Sequence, residues 1–169
     1  ALKNANIGGV FPHARTGLRQ EYLGDRWMEA FSDTVEKCAQ SGMKTWIYDE
    51  DGWPSGYAGS KVSRLGEKYQ QKYLVCEEAL YSELALSKFT LAVFKRGTDG
   101  KYVFTKAEQV DTASVYMHIY YEVCPYYVDI MDRDTIKKFI DVTYEAYYEK
   151  NGEEFGNKIP GAFTDEPQY

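Results

Sequence analysis

The chain alternates short apolar runs with longer amphipathic stretches, and the spacing of its hydrophobic positions predicts most of its elements. Ile7-Gly8-Gly9-Val10-Phe11 is an apolar run with glycines where another element can press close. That is the pattern of a buried strand, and it runs into Pro12-His13-Ala14-Arg15. From Asp25 as N-cap, Trp27, Phe31, Val35 and Cys38 recur at helical spacing, with Met28 and Ala39 beside them and Gly42 as a stop. Lys44-Thr45-Trp46-Ile47-Tyr48 then predicts a second strand. Strand, helix and strand make a βαβ unit, so the two strands should be parallel neighbours.

Residues 60–73 fit another helix, with Val62, Leu65, Tyr69 and Tyr73 on one face. The period then changes. Phe89 to Phe94 and Tyr102 to Phe104 flank a loop whose Asp99-Gly100 signals a hairpin, and Val115 to Val123 alternates as a further strand. Beyond Tyr127-Val128-Asp129-Ile130-Met131, an N-cap at Asp132 or Asp134 opens one long helix bearing Ile136, Phe139, Ile140, Thr143 and Tyr147, ending near Gly152 or Gly156. Ile159 to Phe163 predicts a last buried strand, which finishes in Asp165-Glu166-Pro167. The expected organisation is a βαβ unit over 1–59, a helix plus antiparallel block inserted over 60–126, and a helix with its following strand over 127–169.

Composition changes this picture little. A chain of 169 residues with 44% hydrophobic and 27% charged positions is ordinary for one globular domain. Twenty Lys and Arg against 26 Asp and Glu leave a net charge of -6, which argues against a nucleic-acid partner. No apolar run reaches the roughly 20 residues that a membrane span needs, and no signal segment opens the chain, so neither a membrane partner nor a location is indicated. Cys38, Cys76 and Cys124 are isolated and odd in number, so they are expected as small buried hydrophobes rather than disulfide or zinc ligands. The 16 Tyr, 8 Phe and 3 Trp suit half-buried strands, and equally suit stacking against sugar faces.

Three apolar strands thus run into polar residues at their C-terminal ends: His13 and Arg15, then Asp49-Glu50-Asp51, then Asp165-Glu166. In a parallel sheet or barrel, strand C-termini share the face where ligands bind, so the three clusters should converge. Crowded carboxylates there have several uses. One of them with a raised pKa suits proton transfer in glycoside hydrolysis. Others can hydrogen-bond sugar hydroxyls, with Trp53 or Tyr57 under the ring, or hold a hard cation such as calcium. Alternatively, some cap a turn and the rest are solvated. Arg15 can bind a ligand or pair with a neighbouring acid, and His118, among tyrosines, is expected to pack.

Taken together, "GGVFPHARTGLRQEYLGDRW", "GMKTWIYDEDGWPSGYAG", "YVDIMDRDTIKKFIDVTYEAYYEKNGEEFG" and "IPGAFTDEP" resemble α-L-rhamnosidase-type glycoside hydrolases, (β/α)8 enzymes found within large bacterial proteins. The resemblance implies an α/β fold: a partial (β/α)8 barrel of about three parallel strands, second to fourth of the eight, with the antiparallel block inserted after the third. It implies a carbohydrate substrate and no required cofactor. It makes Glu166 the acid, in the place of the Glu of an Asn-Glu-Pro motif, although Asp165 stands where the Asn would. The resemblance puts the second catalytic carboxylate beyond Tyr169, while the strand-end pattern makes His13, Arg15, Asp49, Asp51, Trp53, Tyr57 and Asp165 the expected substrate-binding residues. Such a piece should not hydrolyse anything alone, and its open barrel edges invite self-association. The rival expectations are a carbohydrate-binding domain without catalysis and a small α/β interaction domain.

Overall fold

In a computed structural model describing residues 1–168, the chain is a mixed α/β protein. Its contacts fall into two units, Ala1–Gln71 with Pro125–Tyr169, and Lys72–Cys124.

In the first unit, Gly9–Val10 (β1) leads through Asp25–Gln40 (α1) to Lys44–Thr45 (β2) and Ile47–Tyr48 (β3). β1 pairs parallel with β2, Gly9 opposite Lys44, and a Cβ on Gly9 would lie 2.8 Å from the Lys44 carbonyl oxygen. The close approach expected of this glycine is thereby explained. β2 and β3 are one segment whose backbone N–H groups alternate between two neighbours. Lys44 and Trp46 donate to Gly8 and Val10, whereas Thr45, Ile47 and Asp49 donate to Lys158, Gly161 and Phe163. Ala162–Phe163 pairs parallel with β3, so the segment from 44 to 49 is the central strand of three.

One side of these strands is covered. α1 begins after Gly24, not after a capping Asp25, and buries Trp27, Met28, Phe31 and Val35. These residues pack with Ile47, Tyr147 and Ile159. The Trp27 indole N–H donates to the Tyr147 hydroxyl at 3.0 Å, and the Phe31 and Tyr147 rings are 4.7 Å apart. The other side carries Phe11, Trp46 and Phe163 with ring separations of 5.7 Å, and Phe11 and Phe163 remain 48% and 44% exposed. The first and last strands are therefore not buried on both faces as their apolar runs suggest, and the described residues form no closed barrel.

The helix expected over 60–73 does not form. Gly59 and Ser60 both adopt φ 59° and Gly66 φ 134°, so the segment breaks into 3-10 turns at Ala58–Ser60, Ser63–Leu65 and Glu67–Tyr69. Helical spacing of apolar residues cannot override backbone conformations that no α-helix accepts. Gln70–Leu80 (β4) follows as a strand. The long helix near the C-terminus is also divided, into Arg133–Val142 (α2) and Tyr144–Asn151 (α3). Thr143, at ψ -70°, turns its hydroxyl back to the Phe139 carbonyl at 2.7 Å. The N-cap is Asp132, which accepts from the Thr135 N–H at 3.0 Å.

The second unit holds an antiparallel sheet. Thr90–Arg96 (β5) and Tyr102–Phe104 (β6) make the expected hairpin, and β5 also pairs antiparallel with Val115–Val128 (β7). The order of the four-stranded sheet is β4-β7-β5-β6. His118 is fully buried, with its Nδ1 2.9 Å from Glu77 and its Nε2 2.8 Å from Thr90. Cys76 is exposed and Cys38 and Cys124 are half-buried, contrary to expectation; Cys76 lies on the outward-facing alternation of β4.

Candidate functional site

The three polar strand ends meet in the first unit. The His13 ring stacks on Tyr48, with centroids 3.5 Å apart. The Tyr48 hydroxyl donates to Asp165 Oδ2 at 2.5 Å, and the Asp165 N–H donates to Ser55 Oγ at 2.8 Å. Ser55 Oγ in turn donates to Asp49 Oδ1 at 2.5 Å. His13, Asp49 and Asp165, residues from three different strand ends, thus share one network.

The adjacent acids 49 to 51 have separate tasks. Asp49 is buried, and its Oδ2 also accepts from the Tyr144 hydroxyl at 2.6 Å and from Thr164 Oγ1 at 2.7 Å. Glu50 is fully buried and holds the following loop together: Oε1 accepts the Asp51 N–H, and Oε2 the N–H groups of Gly56 and Ala58, all at 2.8 Å. Asp51 is half-buried and its Oδ1 accepts the Gly59 N–H at 3.2 Å. The turn-capping alternative therefore describes Glu50 and Asp51. Asp49, at 1% exposure, is bonded to three hydroxyls of the protein.

Loop geometry follows from the sequence "GWPSG". Trp53 is 50% exposed and its bond to Pro54 is cis. Gly56 takes φ 130°, and a Cβ there would lie 2.4 Å from the Tyr127 ring, so no other residue fits. Tyr127 donates to the Ser55 carbonyl and accepts the Gln168 N–H at 2.9 Å. The half-buried Tyr57 packs edge-on against Tyr127, with centroids 5.2 Å apart.

Burial pushes the Glu50 carboxyl up to about 7 even though backbone N–H groups favour its ionised form. Burial and the bond to Asp165 push Tyr48 up to about 12, so it remains a proton donor. Tyr144 is raised by burial and by Asp49. His13 is lowered, chiefly by burial, and its bonds define its tautomer: Nε2 gives its proton to the Gly52 carbonyl at 2.9 Å, and Nδ1 accepts from Arg15 Nε at 3.1 Å. It is a neutral imidazole.

Of the residues singled out in the sequence, Arg15 and Glu166 are exposed and Asp165 is half-buried. Glu166 sits at φ 45°. Sequence reasoning missed Tyr48, Ser55, Tyr144 and Thr164, which make the network. The signal for Tyr48 was present in strand alternation, since Phe11 and His13, Trp46 and Tyr48, and Phe163 and Asp165 fall on one parity each. Among the described residues, no three His, Cys, Asp or Glu side chains group as metal ligands. Both oxygens of Asp49 and of Glu50 already accept hydrogen bonds, which leaves those two carboxylates poorly suited to calcium. Among the described residues, no helix is long and apolar enough to cross a membrane. The chain matches no protein-family model, no curated protein and no solved structure.

Proposed function

We propose that this chain is part of the catalytic domain of a glycoside hydrolase, contributing three consecutive strands of a (β/α)8 barrel. The observation that carries this reading is the single network joining His13, Asp49 and Asp165 at the C-terminal ends of three parallel strands. Exposed Glu166 follows Asp165 in the chain, and exposed Trp53 lies two residues before Ser55. The buried acids Asp49 and Glu50 shape the loops, Trp53 offers an apolar face to a sugar ring, and Glu166 is the solvent-facing carboxyl that delivers the proton. Calcium has no assigned role.

The test is hydrolysis of a panel of aryl glycosides and oligosaccharides by the protein that carries this chain. Glu166→Gln should lower kcat by about 100-fold or more while leaving substrate binding intact. Undiminished turnover would remove Glu166 from the acid role. A second reading, sugar binding without catalysis, is favoured by the exposure of Glu166, because a general acid is ordinarily shielded. It requires glycan binding that Trp53→Ala weakens, with no turnover in the unmodified protein.

A further inference from the structure

A cavity of about 550 Å³ in the first unit is lined by Arg15, Lys61 and Arg64 together with Glu21 and Asp51. Its size is that of a small-molecule site. Lys61 pairs with Glu21, and Asp51 is engaged by the Gly59 N–H. Among the described residues, no carboxylate forms an ion pair with Arg15 or Arg64. Three cations face two carboxylates, so one positive charge is uncompensated. Arg15 is also oriented: its Nε is tied to His13, which leaves the two terminal nitrogens of the guanidinium for another acceptor. That tie needs a neutral His13 with its proton on Nε2: the Gly52 carbonyl fixes the tautomer, and burial lowers the pKa although the Gly52 bond by itself raises it.

We propose that this cavity is a subsite for a hexuronate, a monoanionic sugar whose carboxylate is held by Arg15 and Arg64; this rests on the carbohydrate reading above. A guanidinium presents paired donors that match a carboxylate. A monoanion cancels the uncompensated charge, whereas a phosphate monoester, at nearly two negative charges, would exceed it. Gln20, on the same lining, supplies an amide for ring hydroxyls.

The test measures binding of D-glucuronate and D-galacturonate, of their methyl esters and of galactose 6-sulfate, by calorimetry and ligand-observed NMR at low ionic strength. The ester keeps the sugar and removes the charge. Each acid should bind at least about tenfold tighter than its ester. Arg15→Gln and Arg64→Gln should each abolish that preference, and Arg64→Lys should restore only part of it. Both arginines are exposed, so these variants should fold. Equal binding of acid and ester would overturn the subsite while leaving the carbohydrate reading standing. Tighter binding of the 6-sulfate than of both uronates would overturn the carboxylate assignment. Failure of every sugar to bind would overturn the inference, and the Glu166 hydrolysis assay then decides the carbohydrate reading independently.

Discussion

Replacing Glu50 by Gln and by Ala separates two forces that act on one buried carboxyl. Three backbone N–H groups point at it, two of them from buried residues, so an acceptor is needed there. Burial at the same time disfavours its charge. Its folded pKa of about 7 lies above the reference value of 4.5. The sign follows: the neutral carboxyl contributes stability that is fully present below pH 4.5 and is lost as pH rises through 7. At 1.36 kcal/mol per pKa unit, that loss is roughly 3 kcal/mol. Gln is a neutral isostere that keeps an acceptor oxygen. Its NH2, however, faces the Asp51 N–H, so Glu50→Gln should be less stable than the parent at pH 4.5 and should gain up to about 3 kcal/mol on it between pH 4.5 and pH 8. Ala leaves the buried Gly56 and Ala58 N–H groups without an acceptor at about 1–3 kcal/mol each. That is about 2–6 kcal/mol at pH 4.5, against a total stability on the order of 5–15 kcal/mol, and the deficit should shrink by up to about 3 kcal/mol at pH 8 because Ala also removes the buried charge. Urea unfolding followed by tryptophan fluorescence at pH 4.5, 6, 7 and 8 gives the differences directly, since groups common to both chains cancel. A Gln variant that gains nothing on the parent between pH 4.5 and pH 8 would refute the argument. It would mean that the three N–H groups outweigh burial and hold the carboxyl ionised.

Other outcomes follow from the same geometry. Gly56→Ala places a methyl group 2.4 Å from the Tyr127 ring at φ 130°, whereas Gly17→Ala, at φ 99°, meets open space. Thermal unfolding should show the first losing about 3 kcal/mol or more and the second about 1 kcal/mol. Tyr147→Phe removes the acceptor of the buried Trp27 indole N–H and should cost about 1–3 kcal/mol in urea unfolding. His13 should titrate below 6.5 by NMR. Because its folded pKa is depressed, its contribution to stability is present above pH 6.5 and lost as pH falls through the folded value. A His13 that titrates above 6.5 would contradict burial as the dominant influence on the ring.

Much of the first unit could be read from the sequence because its signals are local. The burial of Trp27, Phe31 and Val35 on α1 follows from helical spacing, and the parallel pairing of β1 with β2 follows from a strand, a helix and a strand in succession. The β5–β6 hairpin is written in Asp99-Gly100. Local signals also misled. Residues 60–73 have helical spacing, but positive φ at Gly59, Ser60 and Gly66 is a property of the folded loop around Asp51 and Glu50. The sequence also shows no reason for Thr143 to divide the last helix.

The sequence by itself determined the polar ends of three strands and the parity that puts Phe11, Trp46 and Phe163 with Tyr48 on one side of the sheet. It also determined that acids would crowd at 49 to 51, because charge and alternation are carried by adjacent residues. Only the tertiary structure decided what each acid does. For two of them the donors arrive from distant positions, Tyr144 and Thr164 at Asp49 and Tyr48 at Asp165, whereas Gly56 and Ala58 fold back on Glu50 within one loop. A carboxylate's role depends on how much water it keeps and which donors face it. Both are set by the packing of segments about 100 residues apart, which no local pattern encodes.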